Sequence, residues 1–205
     1  MRYRTDPRAA QVFPCTAIGA TGGITVTNGA SLTIENCVVS NFTGDAVFAS
    51  GFPGQLRISD TTIRGNGTGI RTQGGMTLDL ARSTLKGNSV AGVFVSASVV
   101  GTITVATVSD TVATGNGDGF RSDSTASAGA RLSLIRSTAS HNSVGVHAMT
   151  NGAGTAELFI SSSMVIGNGM GLKNDAATLE SLGNNSVRYN YMGDASGTVT
   201  TVPGL

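Results

Sequence analysis

Residues 56–70 read Leu56-Arg57-Ile58-Ser59-Asp60-Thr61-Thr62-Ile63-Arg64-Gly65-Asn66-Gly67-Thr68-Gly69-Ile70. Leu56 and Ile58 are two apart, as residues sharing one face of a strand are. Ile63 follows seven residues after Leu56, Asn66 ten after it, and Gly69-Ile70 closes the stretch. The same order recurs along the chain as LTIENCVVSN, LDLARSTLKGN, ATVSDTVATGN, LSLIRSTASHN, LFISSSMVIGN and ESLGNNSVRYN. The anchors are Leu32, Leu56, Leu78, Ala106, Leu132, Leu158 and Glu180, spaced 24, 22, 28, 26, 26 and 22 residues apart.

Seven past each anchor stand Val39, Ile63, Leu85, Ala113, Ala139, Val165 and Val187. Ten past it stand Asn66, Asn88, Asn116, Asn142, Asn168 and Asn190; the first repeat reads as one residue short, with Asn41 as its Asn. A Gly-apolar pair follows each Asn: Gly69-Ile70, Gly92-Val93, Gly119-Phe120, Gly145-Val146 and Gly171-Leu172, with Ala46-Val47 in the first repeat. Ala10, Val12, Cys15, Ala17, Gly23 and Ile24 fit the same register, with Ala20 in place of the Asn.

A period of 20–50 residues marks stacked architectures. No segment sustains a 3.6-residue helical period. Strands of three to five residues cannot bury a face alone, but stacking turn on turn buries a continuous core. Asn tolerates left-handed backbone at a corner, and stacked Asn side chains bond between rungs. Gly before the third strand permits a bend. The reading is an all-β, single-stranded parallel β-helix of about eight turns with a period of 22–28 residues: residues 1–9 an extension or partial cap, 10–195 the helix, 196–205 a final strand and cap. A short-stranded β-sandwich is the competing fold; it would not hold an Asn at one offset.

The pattern resembles the right-handed parallel β-helix of the pectate-lyase-like superfamily. More closely, it is similar to bacterial proteins known simply as right-handed β-helix repeat proteins. LTIENCVVSN, LRISDTTIRGNGTGI and ATVSDTVATGNGDGF carry the resemblance, which covers residues 10–195. It implies a fold and no single activity, because that fold hosts lyases, hydrolases, epimerases, adhesins and non-catalytic proteins. It also allows an extracellular location.

Composition narrows the function. The 205 residues carry 13 Lys and Arg, 12 Asp and Glu and no Trp, for a formal charge of +1. That balance speaks against a nucleic-acid binder, and no apolar run reaches the roughly 20 residues of a membrane-spanning helix. The basic start, Met1 to Arg8, has no apolar stretch after it such as a secretory signal needs. The resemblance implies that a lyase of this fold needs a carboxylate cluster for calcium, and calcium takes six to eight oxygen ligands. No neighbouring rungs of the columns counted here carry two acids. Asp60 and Asp79 are the best lateral pair for glycoside hydrolysis, and Arg57 and Arg82 stand ready to neutralise them. His141 and His147 read as surface histidines, and Gly115 to Gly119 as a rung corner. No catalytic residue, metal site or cofactor is expected; an enzyme, if there is one, would be lyase-like or glycoside-hydrolase-like.

Two outward columns remain. Asn36, Asp60, Arg82, Asp110, Arg136, Ser162 and Asn184 alternate in sign along the middle and read as a ladder of exposed ion pairs. Phe48, Arg71, Phe94, Arg121, His147 and Lys173, after Thr25, form a stripe of cations with interleaved rings. Arg forks a carboxylate and a ring stacks on a sugar, so the stripe is a candidate docking strip for an acidic polysaccharide. The competing reading is a self-paired face in which Asp123 neutralises Arg121 and Asp175 neutralises Lys173. A non-catalytic structural or interaction module is the leading function, with an acidic-polysaccharide protein as the alternative. Cys15 and Cys37 should stack on adjacent rungs as free thiols, because parallel Cβ vectors disfavour the disulfide torsion. Val12, Phe13 and Ile18, near an open end rimmed by Arg2, Arg4 and Arg8, suggest a homodimer through the N-terminal turn.

Overall fold

The computed structural model describes residues 4–6, 9–12, 15–19, 21–27 and 31–203, with side chains from residue 15 onward. Twenty-six strands and no helix are found among them. Each turn lays one strand in each of three sheets, of 10, 8 and 8 strands, and every strand pairs in parallel with its equivalents one turn away. The exception is Arg4–Asp6, which runs antiparallel beside Ala9–Val12. Eight turns result, and Thr200–Val202 adds a last strand to the first sheet. The protein is an all-β parallel solenoid.

The interior is the alternation read from the sequence. Ala17, Val39, Ile63, Leu85, Ala113, Ala139, Val165 and Val187 stack in register in the second sheet. Ile63 and Leu85 are fully buried, as are Leu56, Leu78 and Phe120. The Asn column is continuous. Asn116 donates its Nδ2 to Asn142 Oδ1 at 2.9 Å and to the Leu85 carbonyl at 3.1 Å, so one side chain ties three turns together. Asn66, Asn88, Asn142 and Asn168 each pass a bond to the next Asn in the same way.

A second ladder runs at the corner between the first and second sheets. The Thr61 amide donates to Ser83 Oγ, Ser83 to Thr111 Oγ1, Thr111 to Ser137 Oγ and Ser137 to Ser163 Oγ, at 3.1–3.4 Å. Each of these hydroxyls donates in turn to the carbonyl two residues before it, as Thr61 does to Ser59 at 2.8 Å. Buried polar groups are thereby satisfied between turns.

Several sequence expectations shift. The left-handed backbone is not at the ladder Asn but one residue earlier, at Gly65, Gly87, Gly115, His141, Gly167 and Tyr189. Asn41, at φ 63°, belongs to that column, and Phe42 takes the ladder position, its amide donating to Asn66 Oδ1 at 3.0 Å. The first repeat is therefore not one residue short. In the eighth turn Leu179, not Glu180, stacks on Leu158; Glu180 pairs outward with Phe159. The third-sheet strands are longer than expected, and their Gly lies inside them: a Cβ on Gly69 would sit 2.5 Å from the Gly92 carbonyl oxygen. Close approach of stacked backbones, rather than a bend, demands Gly there.

Cys15 and Cys37 do share a column, with Cα atoms 4.6 Å apart, but they are disulfide-bonded rather than free. That separation lies in the range a disulfide spans, and in-register stacking presents both sulfurs to the same side. Of the residues expected at a dimer contact, Phe13 and the side chain of Val12 lie outside what is described, and Ile18 is exposed. Tyr189, Tyr191 and Met192, near the C-terminal end, are exposed.

Ile63→Asp buries a carboxylate among apolar side chains and should cost more than about 4 kcal/mol of stability, read by chemical denaturation. The intact mass of the unreduced protein should fall about 2 Da below that of the reduced protein, the two hydrogens lost on disulfide formation.

Candidate functional site

The outer face of the third sheet holds a column in which rings and cations stand on consecutive turns. Strand register places Thr25, Phe48, Arg71, Phe94, Arg121, His147 and Lys173 in a single line across seven turns. The stripe expected from sequence therefore exists as a geometric object. Its two halves differ in chemistry.

In the first half the Arg71 and Arg121 guanidinium carbons lie 5.2 and 4.7 Å from the Phe94 ring centroid, one cation on each flanking rung. Such contacts contribute about 0.5–1 kcal/mol each. Phe48, Arg71 and Phe94 are half-buried. Arg71 makes no ion pair among the described residues, and its Nε is buried without a partner.

In the second half the cations are matched. Arg121 reaches Asp123 at 2.7 Å and Asp118 at 3.5 Å. Lys173 reaches Asp175 at 2.8 Å. These are the two pairings that the self-paired reading named, joined by a third carboxylate that it did not. His147 bridges them, Nδ1 on Asp118 Oδ2 at 3.0 Å and Nε2 on Asp175 Oδ2 at 2.9 Å. It is not a surface histidine: it is only 6% exposed, while His141 sits exposed at a corner. Burial alone pushes the imidazole pKa down, but the hydrogen bonds to Asp118 and Asp175 and the charge of Asp118 outweigh it, so the pKa is raised above the ordinary 6.5. Lys173 first, then His147, holds the Asp175 carboxyl below the usual carboxylate range.

The sequence reading, which places Gly119 before the third strand, leaves Asp118 out. The strand starts at Asp118, which projects a carboxylate back toward the next turn. Its position 29 residues before His147, in a chain whose turns take 22–28, was the available signal.

Elsewhere Asp60, Asp79, Asp110 and Glu157 are paired with Arg. Asp60 accepts two hydrogen bonds from Arg82 at 2.8 and 2.9 Å, and Asp110 two from Arg136 at 2.9 Å. The bonds from Arg82 and Arg136 hold these carboxyls below the usual range. The alternating ladder is thus two discrete pairs. All four residues have positive φ, which places that column at a left-handed corner. Asp79 faces Arg57 at 3.6 Å and accepts from Gln55 at 3.0 Å. Glu35, Arg57, Ser59, Asp79, Thr107 and Ser109 rim an open depression of about 270 Å³ on the first sheet. Among the described residues no three His, Cys, Asp or Glu are placed to hold a metal ion.

Residues 5–168 match the family described as right handed beta helix region. The chain belongs to that family. Neither curated proteins nor solved structures give a match. A right-handed β-helix presents every residue type as a column, so its surface chemistry is set by which columns gather charge and which neutralise it.

Asp118→Ala removes one partner of a buried charge network and should cost about 3 kcal/mol. Arg136→Ala breaks an exposed pair and should leave the thermal midpoint unchanged.

Proposed function

We propose that this β-helix protein is a non-catalytic interaction module that docks an acidic polysaccharide along its third sheet. The observation that carries the reading is Arg71: a guanidinium between two half-buried rings, Phe48 and Phe94, in register one turn to each side, with no carboxylate paired to it among the described residues. A sugar uronate brings the missing partner to that fork, and its ring faces meet the phenyl edges and faces. Two rungs span about 9.6 Å, so an extended chain lying along the solenoid axis meets Phe48, Arg71 and Phe94 in turn.

The non-catalytic part rests on the carboxylates. A glycosidase needs two free to face the scissile bond, one protonated and one ionised. Asp118 and Asp175 are taken by His147, Asp123 by Arg121, Asp60 by Arg82 and Asp79 by Arg57. Lys173 and Arg121, already matched, contribute orientation rather than attraction. The ligand surface is therefore narrower than the column of Phe48, Arg71, Phe94, Arg121, His147 and Lys173, and centres on its first three members.

Titration calorimetry with uronic-acid oligomers tests the reading. Saturable binding is expected, weakened about tenfold or more in Arg71→Ala by loss of one charge-assisted contact, and little changed in Lys173→Ala. Neutral oligomers of the same length should bind less well, and the oligomers should be recovered uncleaved. Absence of binding, or equal loss in both variants, would discard the docking strip; shortened oligomers would discard the non-catalytic role.

A further inference from the structure

His147 lies on the sixth turn, in strand Val144–Thr150, and every other residue of that strand is uncharged. The fifth turn presents Asp118, Arg121 and Asp123 toward it, and the seventh presents Lys173 and Asp175. Both ring nitrogens end on carboxylate oxygens, at 3.0 and 2.9 Å. A neutral imidazole has one N–H and one lone pair, and an ionised carboxylate only accepts. Only the imidazolium satisfies both contacts at once. Removing its proton turns one of them into a lone pair facing an anion, within a site that is largely shielded from water.

The two carboxylates are not equivalent. The Asp118 side chain is 12% exposed and, if abandoned, would keep only the longer 3.5 Å contact to Arg121. Asp175 is 41% exposed and retains Lys173 at 2.8 Å. The remaining N–H therefore stays on Nδ1, toward Asp118, and the lone pair on Nε2 faces Asp175.

We propose that His147 is a proton-operated latch between turns, which as imidazolium clamps the third-sheet strands of the fifth, sixth and seventh turns together and on deprotonation lets go of Asp175 and loosens strand Met170–Asp175. The latch does not depend on the polysaccharide reading. Its direction follows from the raised pKa of His147: the stabilisation is complete below the ordinary value of 6.5 and is lost as pH rises through the higher folded value. Asp175, with its lowered pKa, sets the acid limit, since its share is lost only as pH falls below the ordinary 3.8.

The test uses the full chain carrying His141→Asn, a change tolerated because His141 is exposed at a left-handed corner that Asn also adopts. His147 is then the sole imidazole. NMR of its ring protons should give a pKa above 6.5. Amide exchange in residues 172–175, corrected for the intrinsic pH dependence, should accelerate across that same pKa. The gain should be up to about tenfold for each unit by which the pKa exceeds its unfolded value. Amides of the third and fourth turns should not respond. Adding His147→Gln, which cannot titrate, should abolish the pH step. A ring that titrates at or below 6.5 overturns the latch. So does corrected exchange at 172–175 that ignores the titration, and both readings come from the His147-containing protein even where the Gln variant fails to fold.

Discussion

Register between successive turns is the constraint on which everything else in this molecule rests. Among the described residues no helix covers the sheets, and the core is built of Leu, Ile, Val and Ala two residues apart. A slip of one residue in any strand would turn those side chains outward. Two hydrogen-bonded ladders prevent it. The Asn ladder sits at the corner between the second and third sheets, and the Ser/Thr ladder at the corner between the first and second. Each rung of either ladder uses a side-chain oxygen to receive the amide of the preceding turn, so the ladders fix vertical alignment and satisfy buried donors together. The third corner has no such ladder. Its connections run from Gly74-Gly75 to the longer stretches 98–102 and 125–128, and nearly all the variation in repeat length accumulates there. Most of the spread in repeat length is thus a property of one corner, and the two corners that carry ladders vary by one residue at most.

Because register is fixed, surface chemistry becomes a matter of columns. Alternation of Phe and Arg on consecutive turns produces a stacked series in which Phe94 is shared by two guanidiniums. The same line then changes character at the fifth turn, where Asp118 and Asp123 enter beside Arg121. A cation with carboxylates on its own strand is fastened to the surface, whereas Arg71, flanked by rings, makes no ion pair among the described residues. The difference between the two halves of the column lies in two acidic residues on one strand.

Much of this was legible in the sequence, for a physical reason. Period-two apolar pairs, an Asn at a constant offset and a Gly-apolar signal are each local, and their recurrence fixed the turns, the interior column through Ile63 and the outward line from Phe48 to Lys173. The mistakes were errors of one residue or of context. Asn41 was taken for a ladder residue because Asn suits both the ladder and the left-handed position before it; only the amide of Phe42 on Asn66 distinguishes them. Glu180 was taken for an anchor because the eighth turn lengthens at Gly183, away from the usual corner. The hydroxyl ladder is not legible in the sequence, since Ser and Thr look alike whether they bond or only fit. Cys15 and Cys37 share the column that the repeat predicts, but torsion alone is a poor guide to their pairing, and proximity in register joins them in a disulfide. His147 was expected on the surface because an outward strand position was equated with exposure, whereas side chains from both adjacent turns close over it.

That last error points to how an outward face of a solenoid acquires an interior of its own. Third-sheet strands of the fifth and sixth turns are seven residues long, against six in the second and third, so more side chains stand side by side there. Long polar chains on three adjacent rungs then exclude water from one another, and Asp123 and His147 end nearly as buried as core residues. Burying charge in this way is not a route to stability by itself, since an apolar cluster of the same volume often does as well. What charge adds is selectivity of pairing: Asp118 and Asp175 accept from donors at particular positions, and a strand shifted by one residue would face a carboxylate with Val146 or Leu172 instead of His147 or Lys173. The polar cluster therefore complements the two ladders on the one sheet whose far corner has none, and it is the element of that register device that responds to protons.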